Sequence, residues 1–301
     1  MNAIFDAHRL NEYTEDELWN FYNESPSIIT VRTEANAKFL CDGLVAKSVG
    51  ADHHLDALHD EVAAMELAQA IGINVPVIRR VLDISSQDSG LIIMDRIRGK
   101  NLEELWPSIG FFKTIYYAFQ LRNIVRRMRA VTSQAGGGIS SGRFFSLIFD
   151  YCAFPPMRYC TPVNLAKYTE HWLVSYPPRF SPPRPDIAAT LYPVRPHVFT
   201  HNDLVPRNIM IDEDGKLWVV DWRFSGYYPR CMERNMMENI KMPCLNGNSW
   251  GARWLGFLYG VFRRIAGGSL LKDAMAYNRI ADRSSRYILF KAPFSEVEDE
   301  A

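Results

Sequence analysis

Three oxygen-bearing side chains stand at close spacing late in the chain. The run His201-Asn202-Asp203-Leu204-Val205-Pro206-Arg207-Asn208 leads into the hydrophobic stretch Ile209-Met210-Ile211, an Asp214-Gly215 turn, and then Leu217-Trp218-Val219-Val220-Asp221-Trp222. A carboxylate in a loop, an Asn at the lip of a strand and a second carboxylate at the end of the returning strand form a pattern suited to phosphoryl transfer. In it Asp203 would orient and deprotonate an acceptor hydroxyl, and Asn208 with Asp221 would hold Mg²⁺ on nucleotide phosphates. The rival reading is a plain hairpin whose Asp and Asn residues are turn formers. Turn chemistry accounts for Asp212, Asp214 and Gly215, whose resemblance to the start of a calcium loop fails for want of an acid at the twelfth position. It does not account for the His-x-Asp-x-x-x-x-Asn spacing ahead of the strand.

Such a site also needs a cation for the α- and β-phosphates and an anion to hold that cation. Lys47 lies in the apolar stretch Leu44-Val45-Ala46-Lys47, and Glu61 follows in the next helical segment. Alone, Lys47 reads equally well as the solvent face of an edge strand, and Glu61 as a helix-surface acid favoured by the dipole. Together with the hairpin they read as a strand–helix ion pair, with Glu66 the less well placed acid. The stretch Leu91-Ile92-Ile93-Met94-Asp95-Arg96-Ile97-Arg98-Gly99 reads as a connection between lobes, with Met94, Asp95 and Ile97 the nucleotide-binding candidates and an adenine ring against the main chain of Asp95 to Ile97. The segment at 32–36 has no glycine, so it offers no Gly-rich phosphate cradle.

These residues need elements to hold them. Thr14 and Glu17 form a capping box for a helix over 14–23. Strands are expected at 28–31, 37–40 and 44–49, with Asp42-Gly43 a two-residue hairpin signal. A helix follows over 55–71, with Leu55, Leu58, Val62, Met65, Ala68 and Gln69 on its apolar face and Gly72 ending it. Two more strands, 77–84 and 91–95, flank a turn over 85–90 and complete a five-strand sheet. Helices are then expected at 102–106, at 111–131 with Ile115, Phe119, Ile124 and Met128 inward, at 164–175, and at 250–265 with Trp254, Leu255, Leu258, Phe262 and Ile265 on overlapping faces. Five prolines make 177–185 a loop. Most of the aromatics from Trp106 to Trp172 read as core.

With these motifs in view the chain resembles the aminoglycoside phosphotransferase and choline kinase family, most closely its fungal small-molecule kinase-like branch. The family's blocks look like Met-Glu-Tyr-Ile-x-Gly, His-Gly-Asp-Leu-x-x-x-Asn and Asp-Trp-x-x-x-Gly. Here they stand as Met94-Asp95-Arg96-Ile97-Arg98-Gly99, the His201 to Asn208 run, and Asp221-Trp222-Arg223-Phe224-Ser225-Gly226. The resemblance spans roughly 28–265. It implies an α+β, protein-kinase-like bilobal fold: a nucleotide-binding lobe over 1–97 with an antiparallel five-strand sheet and one helix, and a mainly helical lobe over 98–301 carrying the catalytic loop and metal site. It also implies ATP and Mg²⁺ as cofactors and a small-molecule acceptor. Lys47 would meet the phosphates, Glu61 would hold Lys47, Asp203 would be the base, Asn208 and Asp221 would take the metal, and His201 would brace the catalytic loop, with a general-base role as its alternative. Asn202 replaces the usual Gly and Arg223 the frequent acid, and Arg223 would either weaken metal binding or recruit an anionic substrate.

Composition narrows the alternatives. Equal counts of 34 basic and 34 acidic residues point away from nucleic acid. No stretch suits a membrane span, and the polar, acidic start does not resemble a signal peptide. Five scattered cysteines without a C-x-x-C pair read as reduced thiols, hence a cytoplasmic protein. Nothing in the sequence specifies an oligomeric state. Three functions fit: a small-molecule O-phosphotransferase, a kinase scaffold redeployed for cyclisation or dehydration in secondary metabolism, and a non-catalytic binding protein.

Overall fold

Strand alternation explains the first compact unit, which takes residues 1–105 together with 206–223. The computed structural model describes residues 5–29, 34–49, 54–84, 89–144, 158–170, 195–240 and 242–268. Helix α1 (Glu15–Glu24) opens on the expected capping box: Glu17 N–H donates to Thr14 Oγ1 at 3.3 Å, and Thr14 N–H to Glu17 Oε2 at 2.7 Å. Five strands follow, β1 (Ser27–Ile29), β2 (Glu34–Phe39), β3 (Leu44–Val49), β4 (Ile78–Ile84) and β5 (Ser89–Asp95). They form one antiparallel sheet in the order β1-β2-β3-β5-β4.

Successive side chains of a strand face opposite ways. Leu44 and Ala46 of β3, with Leu91 and Ile93 of β5, therefore join Leu18 and Tyr22 of α1 in one apolar cluster. Lys47 falls on the other face. β2 begins three residues earlier than expected, and its link to β3 spans residues 40–43, with Leu40 N–H donating to Leu44 O at 3.1 Å, so it is not a two-residue turn. Residues 30–33, the turn at 85–88, the end of the 164–175 helix and the proline-rich 177–185 lie outside the described residues.

Helix α2 (His54–Ala70) ends where Gly72 adopts φ +77 and Ile73 N–H reaches back to Ala68 O at 2.9 Å, a left-handed C-terminal cap. Its buried face carries Leu58, Glu61, Ala64, Met65 and Ala68, while Gln69 is exposed and Val62 half-buried. The short strand β6 (Gly99–Asn101) and helix α3 (Leu102–Leu105) close this stretch.

The second unit takes residues 106–205 and 224–301. Helix α4 (Phe111–Ala130) buries Tyr117, Ala118, Leu121, Ile124, Val125 and Met128. Ile124 and Met128 of the expected inward set are buried, but Ile115 and Phe119 are not, because they stand half a turn away at about 100° per residue. Phe119 is accordingly 53% exposed. Strands β7 (Thr132–Ser133) and β8 (His197–Thr200) and helix α5 (Pro162–Glu170) follow. Later come β11 (Gly226–Tyr228), helix α6 (Met232–Glu238) and helix α7 (Trp250–Gly267), with β11-β8-β7 forming a small sheet. Helix α7 packs on α4 and buries Leu258, Tyr259, Phe262 and Ala266, while Trp254 is 40% exposed. Of the described aromatics read as core, Trp106, Tyr117 and Phe144 are buried, but Phe111, Phe112, Tyr116 and Tyr159 are exposed.

Both hallmark glycines sit where backbones approach. A Cβ at Gly99 would lie 2.1 Å from Ile211 O, and one at Gly226 would lie 2.3 Å from Gly137 O. Gly137 and Tyr227 exchange backbone hydrogen bonds of 2.9 and 2.8 Å at that point. Gly226→Ala is therefore expected to destabilise by about 1–3 kcal/mol, as overpacking does. Gly256→Ala, inside α7 with nothing within 4 Å, should stabilise by up to about 1 kcal/mol. Urea unfolding of both variants checks the contrast.

Candidate active site

Lys47 is the centre of the first unit's polar cluster. Its strand β3 lies between β2 and β5, opposite Ala37 and Ile92, so it is not on a sheet edge. A lone ammonium there requires partners. Its Nζ donates to Glu61 Oε1 at 2.5 Å and to Asp221 Oδ1 at 2.6 Å. The expected Lys47–Glu61 ion pair is thus present, and the competing Glu66 is exposed. Burial alone would lower the Lys47 pKa, but the Asp221 and Glu61 carboxylates outweigh it and hold the ammonium above its ordinary value.

Asp221 comes to Lys47 on a hairpin. Strand β9 (Ile209–Asp212) pairs with β10 (Leu217–Val219) across a turn in which Asp212 Oδ1 accepts Lys216 N–H at 2.7 Å and Gly215 takes φ +79. The residues read as turn formers are turn formers. β9 also pairs with β6, and Val219 N–H donates to Asn74 O at 3.0 Å, which is why the hairpin belongs to the first unit. At its open end Val220 N–H donates to Asn208 O at 3.0 Å, so Asn208, buried in a 3-10 turn (Pro206–Asn208), and Asp221 leave the same end. Asp221 itself has φ +64, a left-handed conformation that Asp tolerates better than most residues. Arg223 Nη2 donates to Asp221 Oδ2 at 3.3 Å.

This donor set suits Mg²⁺, which takes oxygen ligands and keeps part of its shell for phosphate and water. Among the described residues no group of three or more His, Cys, Asp and Glu would hold a metal unaided.

On the sheet that β7, β8 and β11 build, the loop after Thr200 carries His201, Asn202 and Asp203, all three buried. Asp203 N–H donates to His201 Nδ1 at 3.3 Å, which ties the imidazole to the backbone of the loop. Ser225 Oγ donates to His201 O at 3.2 Å. Asn202 has φ +62, which explains how it stands where the family has Gly: Asn is among the residues that accept this region.

Sequence reasoning missed Glu233. Fully buried on α6, its Oε1 accepts the backbone N–H groups of His201 and of Asn202, the latter at 3.3 Å. Its only signal was an acid in the apolar neighbourhood Cys231-Met232-Glu233. Burial pushes this carboxyl up from 4.5 to about 7, against the amides of His201 and Asn202 and against Arg129, with Asp203 adding to the rise. The folded protein holds this proton more tightly than the unfolded chain, so stability falls as pH rises from 4.5 through 7. Glu233→Gln keeps an acceptor oxygen and cannot ionise. Its Tm relative to wild type should climb across that window, and a flat difference would remove Glu233 as the source.

The comparisons bear on fold and family. The profile of the phosphotransferase enzyme family, APH, matches residues 162–243, which include the His201 and Asp221 blocks. No curated protein matches the chain by sequence. Among solved structures, a GDP complex of aminoglycoside 2'-phosphotransferase-IIIa is similar at 11% identity, over 87% of this chain and 84% of that one, with a TM-score of 0.52. A thermostable mutant of aminoglycoside phosphotransferase APH(4)-Ia, in ternary complex with ADP and hygromycin B, is similar at 10% identity over 92% and 91%, TM-score 0.51. A putative fructosamine-3-kinase from Haemophilus somnus 129PT is similar at 11% identity over 90% and 87%, also at 0.51. The chain has the kinase-like α+β fold of the aminoglycoside phosphotransferases.

Proposed function

We propose that this protein is an ATP- and Mg²⁺-dependent phosphotransferase acting on a hydroxyl group of a small molecule. The observation that carries the reading is Lys47, buried mid-sheet and donating to both Glu61 and Asp221. A cation so held is pre-positioned for phosphates. Residues 1–97 would bind the nucleotide, together with the 206–223 hairpin. The Asp95 and Arg96 amides already donate to Val77 O and Gly43 O at 2.9 Å each, so adenine would turn to the Asp95 carbonyl and the Ile97 amide, beside Met94. Asn208 and Asp221 would hold Mg²⁺, which when bound supplies charge neutralisation on the phosphates.

Asp203 would accept a hydrogen bond from the acceptor hydroxyl and take its proton as that oxygen bonds to the γ-phosphorus, while the bond from the γ-phosphorus to the bridging oxygen breaks and ADP leaves with the electron pair. His201 and Glu233 would keep the loop in shape. The segments at 102–175 and 232–265 would receive the acceptor; they are poor in clustered acids, which argues against a polycation. The free thiols of Cys41, Cys160, Cys231 and Cys244 support a cytoplasmic setting. The ADP- and GDP-bound relatives support a nucleotide ligand. A thermal-shift series with ADP and ATP, with and without Mg²⁺, tests the reading: a metal-dependent rise in Tm is expected, and no shift with any nucleotide refutes it.

A further inference from the structure

Asp221 is gripped from two sides. Lys47 Nζ donates to Oδ1 at 2.6 Å, and the Arg223 guanidinium donates to Oδ2 at 3.3 Å. Lys47 also donates to Glu61, so two cations and two anions balance within this one cluster. The Arg223 and Asp221 side chains are 26% and 23% exposed, partly shielded from solvent, so their attraction is incompletely screened. A guanidinium does not give up its proton in a protein, which makes this positive charge permanent. A divalent metal approaching Asp221 meets a like charge and an oxygen that Arg223 already holds.

We propose that Arg223 is an internal counter-cation competing with the divalent metal for Asp221, and so sets how much metal the site demands. The inference rests on the phosphotransferase reading for the role of Asp221. It also separates the two parts the sequence left open for Arg223, in favour of weakened metal binding.

The test uses Mn²⁺ alone as the probe, titrated into the full chain and followed by the loss of the free-ion electron paramagnetic resonance signal. Arg223→Gln and Arg223→Ala are measured together, each checked for native circular dichroism, with Arg223→Lys retaining the charge. Removing the guanidinium should tighten Mn²⁺ binding on the order of tenfold, the scale of one nearby like charge in a partly shielded site, while Lys stays near wild type. Adding Asp221→Asn to Arg223→Gln should erase the gain. Equal Mn²⁺ affinity in wild type and both neutral variants overturns the proposal, as does a gain that survives Asp221→Asn. The nucleotide thermal shift of the wild type judges the phosphotransferase reading separately.

Discussion

Asp203→Asn is expected to fold normally, to bind nucleotide almost as the wild type does, and to transfer phosphoryl groups slower by on the order of 10²-fold or more, the usual loss when a positioned base is removed. Asn fills the same volume and keeps an acceptor oxygen for the acceptor hydroxyl, but cannot take its proton. The loop should hold because Asn leaves its backbone bracing in place: the backbone N–H groups of His201 and Asn202 go to Glu233, and residue 203 contributes its backbone N–H to His201 Nδ1. Single-turnover transfer to a hydroxyl acceptor, with nucleotide affinity measured alongside, checks the outcome. Near-native transfer would remove Asp203 as the base. A matching loss of nucleotide affinity would make it a binding residue.

The residues proposed to carry this chemistry are placed by local rules. Period-two alternation sends Lys47 to the face away from the Leu44 and Ala46 cluster, and the helical period brings Glu61 onto the buried face of α2. The turn at Asp214-Gly215 specifies the hairpin, and the hairpin brings the ends of Asn208 and Asp221 to one edge. The capping box at Thr14 is equally local.

What escaped depends on partners distant in sequence. Glu233 acts on a loop 31 and 32 residues earlier, and no motif advertises an acid that accepts two backbone amides. β6 is three residues long, too short for a period, yet its pairing with β9 ties the 206–223 hairpin to the first unit. Helices α4 and α7 misled for another reason. Both carry aromatic residues on several sides, so hydrophobicity alone does not select the inward stripe. Trp250 and Trp254 stack on each other at 6.1 Å while staying exposed, which gives them apolar contact without entry to the core.

Asp221→Ala should abolish the Mg²⁺-dependent part of nucleotide binding and spare the metal-free part, because Lys47 keeps Glu61 and its charge. Ala lacks the tolerance of Asp for the left-handed conformation at φ +64, so some stability is lost with it, roughly 1 kcal/mol. Asp221→Asn separates the two effects: Asn accepts that backbone and retains an oxygen, but loses the charge that draws the metal. If both variants lose the Mg²⁺ response while Asn stays as stable as the wild type, the carboxylate is the metal's anchor. Measured beside Asp203→Asn, the Asp221→Ala variant also decides between phosphotransfer and a redeployed scaffold. An acid–base reaction without nucleotide would run on Asp203 or His201 and have no use for a metal carboxylate, so turnover would survive Asp221→Ala and fail in Asp203→Asn. A phosphotransferase loses turnover in both, since one residue moves the proton and the other holds the charge that lets the phosphoryl group leave.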